Sequence, residues 1–475
     1  MTAREISART LGGLGGALLL LGIGMRINNA LRFRVELGFD AAGNLEYLQH
    51  LQSSWSLPSP ELLWSASHPP FFYYAAAAFW RGLSAIGLDG GLLPSLPLLL
   101  SAIGLLTVAA GMTLVRRADP DDGLRALVAG ALVLFLPVHL YMSPMIGEEV
   151  LLSALVAWVV VLAASRAPGL PGAAETALVG LLCGLALLTK LSGILVAAAV
   201  VFTWLLAARS RGQWSAALSR SALLAGVVLA VGGWFYLNNW ISHGYLYPQD
   251  LAIHQGIFDF PPGERGVLDY LRFPLATFTD PQLLNPDLLR SVWGSTYATV
   301  FFDGHRHFLP NSVGASRVGG AILLLALLPT AAFLVGLARG AARAIAEPGG
   351  RDTLLIALVA CSLAGYVVFT WGNPWFVTLK GSYLLGLCVP FAFYASEVLA
   401  GWLRGPGPAS KAVAAALLAL VVLVAAAFTI GPVFDKRDRG VRKERQSTPA
   451  ARAVPASPES WSRPALGAGA GAPPR

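Results

Sequence analysis

The stretch GFDAAGNLEYLQHLQSSWSLPSPELLWSASHPPFFYY, residues 38–74, is polar and rich in aromatic residues, and it separates two apolar segments that are each long enough to cross a lipid bilayer. Asp40 stands near its start. A carboxylate at the centre of a membrane-spanning helix costs roughly 2.5–3.5 kcal/mol, so a carboxylate at a membrane boundary is favourable only where it faces water or a partner. The sequence therefore predicts that Asp40 lies at the edge of a water-filled cavity.

The composition is that of a membrane protein. Of 475 residues, 55% are hydrophobic and 13% are charged, which is about half the charged fraction of an ordinary soluble domain. The net charge of +8 does not indicate a nucleic-acid partner, because the arginines stand in short runs between apolar segments. That distribution is typical of the cytoplasmic loops of membrane proteins.

Apolar windows flanked by charge predict an all-α polytopic membrane protein with about 11 transmembrane helices. Two long polar segments, about 32–90 and 242–317, are predicted to be large extracytoplasmic loops, with the N-terminus and the short arginine-bearing loops inside. The predicted windows are 10–31, 91–115, 126–143, 149–165, 174–189, 191–208, 221–241, 318–338, 353–373, 381–401 and 412–434.

The sequence divides into a transmembrane module, residues 1–434, and a tail, residues 435–475. The tail is first basic, in DKRDRGVRKER, and then rich in Pro, Ala and Gly, which predicts disorder. Eleven spans would place the basic cluster outside, against the positive-inside rule. Either one span is miscounted, or the cluster is tolerated because the earlier segments already set the orientation, so the side of the tail stays open.

Asp40 precedes a segment in which Tyr47 and several leucines recur at helical spacing, so Asp40 either caps this helix or faces the cavity as a functional acid. His68, followed by two prolines and four aromatic residues, begins a second helix that suits the headgroup layer. Both an interfacial role for this helix and a cavity-facing role for His68 are compatible with that pattern.

Two acids and two lysines at the ends of apolar segments are further candidates. Glu148 and Glu149 either complement the helix dipole or join Asp40 at the extracytoplasmic rim. In the second case their partner is a metal, a substrate hydroxyl or a basic residue, and the sequence does not distinguish these. Lys190 interrupts two apolar half-segments, and it either extends to the interface or helps to hold an anion. Lys380 is, like Lys190, a lysine at the end of an apolar segment, at the outer end of a later helix pair.

The second loop contains FFDGHRHFLP, in which His305 and Arg306 are candidate substrate-binding donors. Asp303, His305 and His307 could bind zinc, but this spacing is common by chance, and no metal is predicted. The three cysteines lie in apolar stretches and read as packing residues. The sequence contains no phosphate loop, GxGxxG, GxSxG or HExxH motif, so no cofactor is predicted.

Several of these elements in order resemble a known family. Asp40 with a downstream Glu-Tyr, then HPPFFYY, the acidic pair, LLTKLSG and LKGSYLL together resemble the type C (GT-C) glycosyltransferases, and more narrowly the bacterial relatives of the protein O-mannosyltransferases and of the lipid A aminoarabinose transferase. The resemblance covers roughly residues 1–400. The chain departs from many relatives at Asp40-Ala41, where they have Asp-Glu, and at Lys380-Gly381-Ser382-Tyr383, where they have Lys-x-Arg-Tyr.

The resemblance implies a membrane enzyme that takes a hexosyl or pentosyl group from a polyprenyl-phosphate donor at the extracytoplasmic face of the cytoplasmic membrane. It implies that Asp40 is the base for an acceptor hydroxyl on a protein, lipid or polysaccharide, with inversion, and that Lys190 and Lys380 face the lipid phosphate. A transporter or flippase is the alternative, although no inverted repeat is apparent. A third hypothesis is that the protein is an inactive member of the family that serves as an assembly partner, and it requires that Asp40 be dispensable.

Overall fold

The structure, a computed structural model, describes residues 8–88, 92–164, 169–247 and 260–434. These ranges belong to one compact unit, and the predicted tail 435–475 lies outside the described residues, so the domain boundary stays a prediction. Across the described ranges the chain is helical, and the only β contact is an isolated antiparallel bridge between Pro262 and Trp375.

Within the described residues the chain forms eighteen α-helices. The first nine are α1 Ala8–Arg32, α2 Ala41–Ser53, α3 Phe71–Ala85, α4 Leu92–Ala118, α5 Gly123–Leu134, α6 Pro137–Met142, α7 Glu149–Ala164, α8 Ala173–Thr189 and α9 Ile194–Arg211. The others are α10 Trp214–Val228, α11 Trp234–His243, α12 Ala276–Thr279, α13 Pro286–Leu289, α14 Val292–Val300, α15 Val313–Ala346, α16 Arg351–Gly372, α17 Cys388–Arg404 and α18 Pro408–Ala427.

Eight helical stretches among the described residues are long and apolar enough to cross a membrane: Arg9–Arg32, Ser95–Ala118, Leu191–Arg211, Trp214–His243, Val313–Ala346, Arg351–Gly372, Phe376–Arg404 and Pro408–Ala427. Three shorter apolar helices are Gly123–Leu134, Glu149–Ala164 and Ala173–Thr189. Ten of the eleven predicted windows each correspond to one of these helices, and the window 126–143 covers Gly123–Leu134 together with the short α6. The prediction of an all-α polytopic membrane protein is confirmed.

Leu, Ala and Val dominate these helices, because residues that form helices well and are apolar on all sides suit a lipid environment. Proline is tolerated inside two of them, at Pro97 in α4 and Pro329 in α15. Polar side chains mark several helix starts: Asp122 accepts a hydrogen bond from the Arg125 amide at α5, and Ser312 accepts one from the Ala315 amide at α15.

The helices pack through their small residues. Among the helices, α15 packs against α17, and α4 packs against α5 and α7. Gly336 and Gly340 of α15 face Tyr394 of α17 so closely that a side chain at either position would overlap Tyr394. Small residues at such crossings let two helix backbones approach, which is the usual way that membrane helices associate.

The two predicted outer loops meet at one end of the bundle. The first contains α2 and α3, which pack together, and the described part of the second contains α12 to α14. His307 of the second loop donates a hydrogen bond from Nδ1 to the Leu37 carbonyl of the first, at 3.0 Å. The loops therefore form one joint structure over that end of the helices.

Candidate active site

Asp40 stands directly before α2 with φ 53° and ψ 22°, in the left-handed region that Asp tolerates better than most residues. Its side chain makes no hydrogen bond to the start of α2. Its Oδ2 instead accepts a hydrogen bond from Lys380 Nζ at 2.8 Å. Asp40 therefore occupies the N-cap position of α2 through its backbone carbonyl, which accepts from the Asn44 amide, but its carboxylate does not cap the helix and instead forms an ion pair across the fold.

Lys380 lies between two 3₁₀ turns, Phe376–Thr378 and Gly381–Leu387, that precede α17. The Gly381 amide donates to Thr299 Oγ1 at 2.8 Å, which fixes the backbone beside Lys380 to α14. The Lys380 ammonium lies 4.7 Å from the ring centroid of Phe39, the residue before Asp40. The pairing thus joins the first outer loop to the start of α17.

Glu148, Glu149 and Lys190 form a second ion-pair cluster. Lys190 Nζ donates to Glu148 Oε1 at 2.8 Å and to Glu149 Oε1 at 3.1 Å. The side chains of both acids are buried, whereas that of Lys190 is 20% exposed. Of the partners that the sequence left open for the acids, the structure shows a basic residue.

The backbone around Lys190 depends on a close approach at Gly193. Lys190 ends α8, and the 3₁₀ turn Leu191–Gly193 leads into α9. At Gly193 a Cβ atom would overlap the backbone of Ala186 and Leu187 in α8. Only glycine lets the turn lie this close to the helix.

We expect Gly193→Ala to lower the free energy of unfolding by about 1–3 kcal/mol, the usual cost of overpacking, because backbone atoms cannot yield to the new methyl group. Thermal unfolding in detergent measures this change. Gly226→Ala in α10 is the matched control, since a Cβ there meets nothing within 4 Å. Equal melting temperatures for the two variants would contradict the role of Gly193.

The two ion-pair clusters meet at the ring of Tyr383. Lys190 Nζ lies 4.8 Å from the ring centroid, and Lys380 Nζ lies 5.7 Å from it. The clusters therefore share one site, which contains three carboxylates and two ammonium groups. The carboxylate of Asp40 is the most accessible of these groups, with 35% of the side chain exposed.

Charge compensation keeps Asp40 and Glu148 ionised. Burial raises the pKa of Asp40, but the Lys380 ammonium and, to a smaller extent, His68 and Lys190 together outweigh this effect, and the pKa is lowered from 3.8 to about 2. Burial likewise raises the pKa of Glu148, and Lys190 and His68 hold that pKa below its ordinary value. Asp40 is therefore an ionised but weakly basic carboxylate while Lys380 is in place.

His68 belongs to a chain of hydrogen bonds beside this site. Its Nδ1 lies 3.9 Å from Glu148 Oε1 and 3.1 Å from the Tyr73 hydroxyl. That hydroxyl donates to Asn44 Oδ1 at 2.6 Å, and Asn44 Nδ2 donates to the Ile146 carbonyl at 2.7 Å. The chain connects α2 and α3 of the first loop to the segment that carries Glu148.

The remaining candidates lie at the border of the site or away from it. His305 donates from Nε2 to the Leu379 carbonyl at 3.1 Å and packs on Phe39. Tyr47 is fully buried, and its ring stacks on Tyr73 with centroids 4.0 Å apart. Arg306 is buried, donates from Nη2 to Ser316 Oγ at 2.7 Å and contacts Phe302. These contacts of Tyr47 and Arg306 lie outside the two ion-pair clusters.

Asp303 has a structural role in the second loop. Its carboxylate accepts hydrogen bonds from the backbone amides of His307, Phe308 and Leu309, and so it shapes the turn that presents His305 and His307. Among the residues that the structure describes, no three His, Cys, Asp or Glu side chains gather in a way that could hold a metal ion.

Three residues of the site were not among the predicted candidates. Tyr383 lies three residues after Lys380 in the same motif, and Asn44 lies four residues after Asp40, on the same face of the helix start. Tyr73 stands in the HPPFFYY motif. Their nearness to the candidate residues was visible in the sequence, but an aromatic or amide side chain alone does not distinguish a site from a core position.

No family model matches the sequence, and no curated protein matches it. The Archaeoglobus fulgidus oligosaccharyltransferase in the apo form is similar in structure, with a TM-score of 0.49 and 13% identity over 94% of this chain and 59% of that one. The archaeal oligosaccharyltransferase AglB from the same organism, in complex with an inhibitory peptide and a dolichol-phosphate, has a TM-score of 0.48 and 13% identity over 92% of this chain and 58% of that one. ArnT from Cupriavidus metallidurans bound to undecaprenyl phosphate has a TM-score of 0.40 and 18% identity over 84% of this chain and 79% of that one.

This chain spans about three fifths of the length of the archaeal structures. Both kinds of protein are type C glycosyltransferases, the class that the sequence resembles. Similarity at this level assigns no role to any residue of this chain.

Proposed function

We propose that this protein transfers a hexosyl or pentosyl group from a polyprenyl-phosphate donor to an acceptor hydroxyl, with inversion at the anomeric carbon and with Asp40 as the general base. The observation that supports this most is the single site around Tyr383, where an accessible carboxylate lies beside two ammonium groups at the end of a bundle of apolar helices. A base for the acceptor and cations for the leaving phosphate are the groups that this reaction requires.

In the proposed step the acceptor oxygen attacks the anomeric carbon on the face opposite the phosphate. Asp40 takes the hydroxyl proton, the new carbon–oxygen bond forms, and the old bond breaks with its electron pair left on the phosphate oxygen. Lys380 and Lys190 are the cations that stabilise the departing polyprenyl phosphate. The proposed reaction uses no cofactor, because the glycosyl phosphate already carries a good leaving group.

We place the site at the extracytoplasmic face of the cytoplasmic membrane. Lys190 lies between the end of α8 and the start of α9, whereas Arg209 and Arg211 lie in the last turn of α9, at the other end of that helix. Arginines accumulate on the cytoplasmic side of membrane proteins, so the site end would face outwards. The prenyl chain would lie in lipid, and a protein, lipid or polysaccharide acceptor would approach from the water.

The pH profile of kcat/KM tests whether Lys380 controls the ionisation of Asp40. The pKa of Asp40 is lowered to about 2, so the base is ionised at every pH above about 4, and we expect no acid limb from it between about pH 5 and pH 8. In Lys380→Met, burial remains without its main opposing charge, and the acid limb moves to higher pH. An unchanged limb in this variant would contradict the assignment.

The test of the function is transfer by the purified protein in proteoliposomes. We expect radiolabelled sugar to pass from polyprenyl phosphate into an acceptor fraction extracted from the envelope of the source cells, with free polyprenyl phosphate as the second product. A transporter or flippase would move the intact labelled lipid to the other leaflet without breaking the glycosyl bond. That second result, with no cleavage, would contradict the proposed function.

A further inference from the structure

The Asp40–Lys380 pair is arranged so that the carboxylate covers the ammonium. The side chain of Lys380 is 6% exposed, and that of Asp40 is 35% exposed. The described neighbours of the ammonium on its other sides include the aromatic faces of Phe39 and Tyr383. An anion that approaches Lys380 from the water therefore meets Asp40 first.

Lys380 has donor capacity that Asp40 does not use. An ammonium carries three N–H donors, and one of them is given to Asp40 Oδ2. In the described part of the chain no other oxygen accepts a hydrogen bond from Lys380 Nζ, and aromatic faces are weaker partners than a charged oxygen. A phosphate, with several charged or partly charged oxygens, would engage more of these donors than one carboxylate oxygen does.

Asp40 is free to leave the pair. Its carboxylate does not cap α2, and its hydrogen bond to Lys380 is the only one that the side chain makes among the described residues. Lys190 differs in this respect, because two buried carboxylates hold it. If Lys190 left these acids, both would lose the ammonium that they share while they stay buried and adjacent, which is a costly arrangement.

We propose that the phosphate of the lipid carrier and Asp40 compete for the Lys380 ammonium, so that donor binding displaces Asp40 and releases the base only when the leaving group is already held. This inference rests on the proposed function and adds an order of events to it. Lys190 stays with Glu148 and Glu149 throughout, and Lys380 is the exchanging cation. After transfer, the departure of the polyprenyl phosphate returns Lys380 to Asp40 and drives the captured proton into solvent.

The exchange also makes Asp40 a stronger base at the time it is needed. Lys380 is the largest influence that lowers the pKa of Asp40 against the effect of burial. When the phosphate takes this cation, the pKa of Asp40 rises, and proton transfer from the acceptor hydroxyl becomes more favourable.

Binding of polyprenyl phosphate without a sugar tests the exchange, measured by titration calorimetry on the full-length protein in detergent. We expect Asp40→Asn to bind this lipid about tenfold more tightly than the wild type, because the competing carboxylate is removed, and Lys380→Met to bind about tenfold more weakly. The double variant should bind no more tightly than Lys380→Met alone, since the gain exists only while Lys380 is present.

Asp287→Asn is the matched control for charge, because Asp287 is an exposed acid on the second outer loop. The affinity of this variant for polyprenyl phosphate should equal that of the wild type. Unchanged or weaker binding by Asp40→Asn would overturn the exchange, as would tighter binding that persists without Lys380. If Asp40→Asn does not fold, Asp40→Ala and the Lys380→Met comparison give the same decision. Since no sugar is transferred in this assay, a wild type without transferase activity would refute the proposed function and leave the binding result intact.

Discussion

Asp40→Asn is expected to lower the rate of sugar transfer by about 10²–10⁴-fold, the usual contribution of a positioned general base. The amide has nearly the shape of the carboxylate, but it cannot accept the proton of the acceptor hydroxyl. The carboxylate is accessible, does not cap α2 and lies beside Lys380, so its replacement removes a functional group and leaves the helix start intact. The initial rate of radiolabel transfer, at equal protein concentration, measures the effect.

Asp287→Asn is again the control, because it removes one exposed acid from the same end of the molecule and should keep the wild-type rate. Equal melting temperatures of the Asp40→Asn variant and the wild type would show that the loss is chemical. A rate within twofold of the wild type would remove Asp40 from the mechanism and favour the assembly-partner reading instead.

Lys190→Met is expected to be the most destabilising single change in the site. It leaves Glu148 and Glu149 buried and adjacent without the ammonium that both contact, and breaking a buried ion pair by removal of one partner costs about 3–5 kcal/mol. The variant should therefore unfold at a clearly lower temperature than the wild type. Thermal unfolding of the detergent-solubilised protein, followed by intrinsic fluorescence, measures this difference.

Glu264→Gln provides the comparison for Lys190→Met. It neutralises Glu264 in the Arg290–Glu264 pair, whose side chains are 40% and 80% exposed, and a solvent-screened pair of this kind contributes about 1 kcal/mol or less. Lys190→Met combined with Glu148→Gln should recover part of the lost stability, because one of the two uncompensated charges is gone. Similar melting temperatures for Lys190→Met and Glu264→Gln would contradict the proposed role of this cluster.

The transmembrane architecture could be predicted from the sequence because its cause is local. A helix must be apolar over the thickness of the bilayer, and the charges that flank it mark its ends. The window 126–143 shows the limit of this reasoning, since the structure divides it into α5 and the short α6, with Pro137 at the start of α6. Apolarity fixes which segments enter the membrane, and it says less about where each helix ends.

The partners of the site residues could not be predicted. Asp40 and Lys380 are separated by 340 positions in sequence, and their contact depends on how α2, α14 and α17 pack. An Asp before a helix gives the same pattern whether its side chain caps the helix or turns away. The left-handed backbone at Asp40 distinguishes the two cases, and no residue pattern in this stretch reports it.

Tyr47 and Arg306 are candidates from the sequence that the structure places outside the ion-pair clusters. Tyr47 recurs at helical spacing with several leucines, and this pattern is shared by core and site residues; the structure packs Tyr47 on Tyr73 in the core of the first loop. Arg306 stands next to His305 in sequence, but its backbone has a positive φ of 59°, and its side chain turns towards Ser316. Neighbours in a tight turn commonly point in different directions.

The most direct test of the account is an electron cryomicroscopy structure of the reconstituted protein with polyprenyl phosphate. We expect the phosphate beside Tyr383, with an oxygen about 2.7–2.9 Å from Lys380 Nζ and the Asp40 carboxylate turned away from Lys380 towards the acceptor side. A phosphate bound elsewhere, with the Asp40–Lys380 ion pair still in place, would contradict it.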